Sequence, residues 1–270
     1  MNEASLGSLP QRYWLLEGNR SRAVDGGVIH ESTLSIHVNG QELATVMCSP
    51  LQLEALAVGF LFSEGLVDQR EEIGHVQLNA TGALVDVILR RDDFELPRRL
   101  ILTSGCGGGV MLAELSAQQP PIQSEYECTP AIIQERMRDL QSAARLYQAV
   151  RGVHTAILAD EAGLLVAAED VGRHNAVDKC AGLALLSDID TRDTLLLTSG
   201  RISSEMLGKA RRLGCPIVAS RTAPTSSALA LARAWGICVV GYLRRGSLRV
   251  YTHAQRLGLP EEEKQILDTT

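Results

Sequence analysis

The sequence predicts a two-domain α/β protein, and three observations predict it. The chain has 270 residues, which suits two ordinary domains. Its second half alternates short apolar runs with helical patterns, as expected of a partly parallel sheet covered by helices. Pro120-Pro121 and the polar stretch to Glu127 mark a junction between the halves. The expected division is an N-terminal α+β domain over residues 1–125 and an α/β domain over residues 126–270.

Residues 1–30 are polar and irregular and predict no element. From Glu31 to Asn39 the pattern alternates, with Leu34, Ile36 and Val38 on one face. Asn39-Gly40 is a strong hairpin turn signal, and Glu42–Cys48 supplies the returning strand. Ser49-Pro50-Leu51-Gln52 predicts a helix start, with Ser49 as cap and Gln52 completing a capping box. Leu53, Leu56, Ala57, Phe60 and Leu61 follow at helical spacing, and Gly65 ends that helix. Short strands are expected over Val76–Leu78, Ala83–Leu89 and Arg99–Thr103.

Thr129-Pro130 opens a second helix, with Ile133, Met137, Leu140 and Ala144 on one face. Val153–Ala159 and Leu164–Ala168 then predict a strand pair, and Asn175–Leu186 a helix. Strands over Thr194–Thr198, Ile217–Ser220 and Ile237–Leu243 alternate with helices over Ser203–Leu213 and Ala223–Trp235. Leu248–Tyr251 adds an edge strand.

The composition is that of an ordinary soluble protein, with 45% hydrophobic residues, 21% charged residues and a net charge of -6. The acidic balance argues against a general nucleic-acid binder, which carries a basic excess. No run approaches the ~18 apolar residues a membrane span needs. Met1–Arg12 lacks the basic start and apolar run of a secretory signal, so a cytosolic protein is expected. Six cysteines occur, at 48, 106, 128, 180, 215 and 238, and no two have C-x-x-C spacing. Neither a zinc site nor a dithiol redox motif is therefore supported. Cys180, Cys215 and Cys238 sit in apolar or helical settings and are expected to be buried thiols.

Cys106 is different. It lies in Ser104-Gly105-Cys106-Gly107-Gly108-Gly109, directly after an expected strand. Glycines add nothing to a core but permit unusual backbone angles and an accessible loop. Their N–H groups can form an anion-friendly nest, which favours the nucleophilic thiolate that accepts a persulfide. A flexible turn that happens to hold a cysteine would use the same residues, and composition alone does not choose between them.

Four further segments sit where strands end. Glu169–Lys179, which reads EDVGRHNAVDK, joins a strand to a helix and brings Arg173 and His174 to the place where α/β sheets bind ligands. A capped helix start, with Asn175 as cap and Asp178 at the third helical position, explains part of it but does not require Arg and His. Thr198–Glu205 and Ser220–Ser226 follow successive strands and open helices, and carry Arg201 and Arg221. Helix N-termini with a guanidinium beside them suit an anionic ligand. Tyr242-Leu243-Arg244-Arg245-Gly246-Ser247 could stack and hold a nucleotide, though in isolation a solvated turn is the simpler reading. No Walker sequence, no G-x-G-x-x-G after a strand and no H-E-x-x-H occurs, and the zinc-deaminase pattern is missing. No bound catalytic metal is therefore expected.

These residues, taken in order, resemble the formate dehydrogenase accessory sulfurtransferase family, FdhD. The resemblance runs from Glu31 to Leu257. It rests on Val38–Glu42, Val58–Gly65, Ser104–Gly107, Gly152-Val153-His154, Glu169–Lys179, Ser199–Glu205, Ser220–Thr225 and Val240–Arg244. It implies that the C-terminal part is a cytidine-deaminase-like three-layer domain without the zinc site. It implies a homodimer that takes sulfur from a cysteine desulfurase and passes it to the molybdenum bis-guanine-dinucleotide cofactor for formate dehydrogenase.

Cys106 falls on the family's persulfide cysteine, and Tyr242, Leu243, Arg244, Arg245, Gly246 and Ser247 fall on its cofactor-binding stretch. Many relatives carry C-x-x-C in the glycine loop, where this chain has Gly109. One cysteine suffices for a persulfide, but no two-thiol relay can run in this loop. Two other classes compete: a cofactor chaperone that moves no sulfur, and a nucleotide-modifying enzyme of the deaminase type.

Overall fold

A computed structural model of the chain describes residues 6–91 and 119–260. The strand expected over Arg99–Thr103 and the glycine-rich segment with Cys106 lie outside the described residues. The strands are β1 (Ser8–Glu17), β2 (Arg20–Ile29), β3 (Ser32–Val38), β4 (Gln41–Cys48), β5 (Ile73–Leu78), β6 (Leu84–Leu89), β7 (His154–Ala159), β8 (Leu164–Asp170), β9 (Leu195–Thr198), β10 (Ile217–Ser220), β11 (Cys238–Arg244) and β12 (Ser247–Thr252). The helices are α1 (Leu53–Ser63), α2 (Pro130–Ala143), α3 (Arg145–Val150), α4 (Arg173–Leu186), α5 (Ser204–Arg212) and α6 (Ser226–Trp235). The class is mixed α/β, as expected, and the C-terminal order of β7 to β11 with α4 to α6 is the one the alternation predicts.

The described residues form two compact units. One holds residues 6–91, Leu140–Ala156 and Val166–Asp190; the other holds 119–139, Ile157–Leu165 and 191–260. This division does not follow a single boundary after residue 125, because the chain returns to the first unit twice. Among the described residues no helix is long and apolar enough to cross a membrane.

The first unit begins with a correction. Residues 8–29, expected to be irregular, form an antiparallel hairpin in unbroken register from Ser8 opposite Ile29 to Glu17 opposite Arg20. Gly18 supplies the positive φ of 61° at its two-residue turn. A four-stranded sheet follows in the order β4-β3-β6-β5. Asn39 and Gly40, at φ 49° and 77°, turn β3 into β4 as the Asn-Gly signal predicts. Leu34, Ile36, Val38, Val85 and Val87 line its inner face and pack with Leu53, Leu56 and Leu61 of α1.

Helix α1 is apolar on nearly every side because α4 covers what the sheet does not. The two helices meet backbone to backbone. A Cβ on Gly59 would lie 1.7 Å from the Asp178 carbonyl oxygen, and one on Gly182 would lie 1.9 Å from that of Ala55. No residue but glycine fits at either position. The start of α1 also differs from expectation. Gln52 is left-handed, at φ 52° and ψ 43°, and no side chain caps the helix. Ser49 is engaged elsewhere, as described below.

A six-stranded sheet runs in the order β12-β11-β10-β9-β7-β8, and its strands β9 to β12 belong to the second unit. β9, β10 and β11 run parallel as neighbours, and β12 returns antiparallel. Ser203 caps α5 by accepting from the Met206 N–H, Thr225 caps α6 by accepting from Ala228, and Gly236 closes α6 at φ 71°. The Arg256 guanidinium ties down the chain that enters this unit. It donates to the carbonyls of Gly236 at 3.0 Å, Tyr126 at 2.9 Å and Ser124 at 3.0 Å.

Candidate functional site

Three of the four strand-end segments come together in the second unit. The Thr198–Glu205 and Ser220–Ser226 loops and the end of β11 all leave the same edge of the parallel strands β9, β10 and β11. They are bonded to one another directly. The Ser220 hydroxyl donates to the Gly200 carbonyl at 2.5 Å. The Ile202 N–H donates to Ala223 at 3.3 Å, and the Thr225 N–H returns to Ile202 at 3.0 Å. The Tyr242 N–H reaches the Thr222 carbonyl at 3.0 Å, and the Arg244 guanidinium donates to the Arg221 carbonyl.

Tyr242 takes a left-handed φ of 49°, which turns its ring outward. The Arg249 guanidinium lies 4.2 Å from the ring centroid. Arg201, Arg244, Arg245, Gly246 and Ser247 are exposed around this rim, while Leu243 is buried in the core and offers only its backbone. Two capped helix N-termini, exposed guanidiniums and an outward aromatic ring make a surface suited to a nucleotide or another planar anion.

The Glu169–Lys179 segment lies in the first unit and does something the sequence did not suggest. Asp170 and Lys179 form an ion pair with Nζ 2.6 Å from Oδ2, both side chains fully buried. Lys179 also donates to the carbonyls of Ser49 at 3.1 Å and Glu169 at 3.2 Å, so all three of its N–H donors are used. Asp170 further accepts from the backbone of Ser49 at 3.0 Å and Gly172 at 2.7 Å, and from Asn175 Nδ2 at 2.9 Å. Asn175 reaches on to the Met47 carbonyl at 2.7 Å, and the Ser49 hydroxyl accepts from Val171 at 3.1 Å. Ser49 and Asn175 are therefore not helix caps. Gly172 occupies the N-cap of α4, and both side chains lace the end of β4 to the β8–α4 turn.

This lock fixes the turn that carries Arg173 and His174, both half-buried at the start of α4. Beside it, the Glu169 carboxylate accepts from Leu146 at 2.7 Å and Tyr147 at 2.8 Å, the first N–H groups of α3. Burial nevertheless raises its pKa above the ordinary value. Burial lowers the pKa of His154, and the Arg173 guanidinium lowers it further. A depressed histidine beside an arginine is neutral near pH 7 and can accept a hydrogen bond there.

The cysteines sort clearly. Cys48, Cys128, Cys180, Cys215 and Cys238 are all buried and unpaired by disulfides. Burial pushes the Cys48 thiol up to about 11 and those of Cys128, Cys215 and Cys238 up to about 12. The burial expected of Cys180, Cys215 and Cys238 is what the structure has. The sequence reading missed Lys179 and Ser49 as partners of Asp170. The signal available was a lysine between Asp178 and Cys180 in an otherwise apolar helical stretch.

Comparison with known proteins places these features. The sequence model of the FdhD/NarQ family matches residues 29–258. A sulfur carrier protein FdhD from Staphylococcus aureus strain MRSA252 is 38% identical over 234 residues, covering 85% of this chain and 88% of its own. The protein of the same name from strain JH9 matches with the same identity and coverage. A crystal structure from Desulfotalea psychrophila, described as a formate dehydrogenase accessory protein, superposes with a TM-score of 0.77 at 29% identity, covering 93% of this chain and 99% of that one. The match takes in the locked β8–α4 turn and all three loops of the rim, and the chain belongs to the FdhD/NarQ family.

Proposed function

We propose that this chain is a sulfur carrier and sulfurtransferase serving formate dehydrogenase. Cys106 attacks the terminal sulfur of a cysteine desulfurase persulfide. One S–S bond breaks, one forms, and the desulfurase leaves as thiolate. The Cys106 persulfide then gives that sulfur to molybdenum in the bis-guanine-dinucleotide cofactor, which is the bound substrate: the S–S bond breaks, Cys106 leaves as the thiolate, and reduced molybdenum supplies the electron pair that turns the transferred sulfur into sulfide. One observation carries the assignment to Cys106. Every cysteine among the described residues is buried, in a chain whose relatives are named sulfur carriers. A thiol held at a pKa of about 11 or 12 has almost no thiolate at neutral pH.

The rim of the second unit supports the substrate half of this reading. Tyr242 offers a stacking face, Arg244, Arg245 and Arg201 offer guanidiniums, and Gly246 and Ser247 leave room and a hydroxyl beside them. A homodimer would present two such rims to the two guanine-dinucleotide arms. The working partners are a cytoplasmic cysteine desulfurase and the catalytic subunit of formate dehydrogenase.

The test is mass spectrometry after incubation with desulfurase and cysteine. Wild type should gain one sulfur, Cys106→Ala should gain none, and Tyr242→Ala with Arg244→Ala should gain sulfur but bind guanine nucleotide more weakly. Full maturation of formate dehydrogenase by Cys106→Ala would refute the persulfide role. Gly109, in place of a second loop cysteine, favours one other reading: a cofactor chaperone that moves no sulfur. Absence of any sulfur gain on wild type, with guanine nucleotide binding intact, would select it.

A further inference from the structure

The Glu169–Lys179 turn of the first unit has no task in the chemistry above, and it holds a cation without a counter-ion. The Arg173 Nε–H is shut away from solvent and meets no acceptor. No carboxylate pairs with the Arg173 guanidinium among the described residues. A buried donor left unpaired costs free energy, and more so when it carries charge, so a native protein keeps one for a reason. Lys179, on the same helix, has every donor satisfied.

The acids nearby have no oxygen to spare. Asp170 gives Oδ2 to Lys179 and the Ser49 N–H, and Oδ1 to Gly172 and Asn175. Glu169 gives Oε2 to Leu146 and Oε1 to Tyr147. His154, at the start of β7, is the other polar group in reach. Burial and then the Arg173 charge hold its imidazole neutral. Both residues belong to the first unit.

We propose that Arg173 and His154 form an anion site in the first unit, and that its ligand is a phosphoryl group. A guanidinium fork takes two oxygens of an oxyanion, and alone it would suit a carboxylate equally well. The imidazole decides between them. It has two ring nitrogens, and one remains for a ligand when the other is engaged. That nitrogen donates to a third oxygen or accepts from a protonated one. A carboxylate has no third oxygen, and a phosphoryl group has. The group arrives either as the free ion or on a nucleotide.

Nuclear magnetic resonance of the full chain, labelled at its six histidines, tests this. His154→Gln identifies the His154 resonance. In phosphate-free buffer, added inorganic phosphate should move that resonance saturably, with a dissociation constant of about 1 mM from two or three charge-assisted hydrogen bonds. Arg173→Gln should weaken binding by about 10-fold or more, and Arg173→Lys by less. Arg138→Gln, at an exposed arginine of α2, should leave it unchanged. Phosphate should raise the melting temperature of wild type and not that of Arg173→Gln. Without phosphate, Arg173→Gln should be at least as stable as wild type, because it removes an unpaired charge. GDP separates the two sources. A response to GDP that is tighter than to phosphate, and lost in Arg173→Gln, assigns the site to a nucleotide; a tighter response to phosphate assigns it to the free ion. Three results would each overturn the proposal: a His154 resonance indifferent to both ligands, phosphate binding that survives Arg173→Gln, or a clear loss of stability in Arg173→Gln without phosphate. The last would mean that the chain itself supplies the counter-charge.

Discussion

Replacing Lys179 with methionine should be the most damaging single change to the first unit that leaves its size almost unaltered. The structure gives the terms. Nζ lies 2.6 Å from Asp170 Oδ2, with no solvent at either side chain. Two carbonyls, of Ser49 and Glu169, lose their donor as well. Removing one partner of a buried pair typically costs about 3–5 kcal/mol, because the remaining charge is left uncompensated. Each orphaned carbonyl adds about 1 kcal/mol or more, and these contributions overlap, so about 4 kcal/mol is expected.

For a protein of this size that corresponds to a fall in melting temperature of roughly 10 °C. Thermal and urea unfolding followed by circular dichroism measures it. Asp170→Asn in the Lys179→Met background removes the stranded charge and should recover about half of the loss. The coupling between the two sites is this recovery of about 2 kcal/mol plus the cost of Asp170→Asn alone, so it should exceed about 2 kcal/mol. A Lys179→Met protein within about 1 kcal/mol of wild type, or no recovery in the double variant, would refute the claim that the pair locks the β8–α4 turn.

Two glycines of similar appearance should respond in opposite directions. Gly59→Ala forces a methyl to within 1.7 Å of the Asp178 carbonyl and should destabilise by about 3 kcal/mol or prevent folding. Gly208→Ala, in α5 with nothing within 4 Å of its Cβ, should stabilise by about 0.5–1 kcal/mol; thermal melts read both. Glu169 has its pKa raised in the folded state, so its ionisation opposes folding as pH rises from its ordinary value of 4.5. Wild type should therefore gain stability relative to Glu169→Gln as pH falls through that region, and a constant difference in urea midpoints between pH 4 and 7, roughly the window of a carboxyl group, would refute the assignment. The five cysteines among the described residues are buried, and the proposed carrier role requires a reactive Cys106, so a thiol reagent at neutral pH should titrate one fast thiol per chain and the rest only in denaturant. Cys106→Ala should abolish the fast phase, and two or more fast thiols would contradict the burial described.

The elements that the sequence disclosed are those whose pattern comes from a one-sided core. Strand β3 alternates because Leu34, Ile36 and Val38 face inward, and α5 and α6 begin at Ser203 and Thr225 because those hydroxyls satisfy free N–H groups. The β1–β2 hairpin escaped because it buries no face. Tyr13-Trp14-Leu15-Leu16 is a contiguous run with no period of two, and only Gly18-Asn19 hinted at its turn. Ser49 and Asn175 passed for caps since both roles use the same short polar side chains. Their actual partners, Val171 for one and Met47 and Asp170 for the other, are more than 120 residues away in the longest cases, which local pattern cannot see. At the rim the reverse held. Arg201, Arg221 and Tyr242 sit where strands end, and a parallel sheet gathers consecutive strand ends along one edge.

The bonds among those strand-end loops bear on how a ligand is met. Ile202, Ser220, Tyr242 and Arg244 bind neighbouring loops to each other, so the rim has already surrendered its freedom when the chain folds. A guest arriving there has little segmental motion left to quench, and more of its contact energy survives as affinity. Amide exchange along Gly200–Thr225 should accordingly be slow in the empty protein and change little on loading.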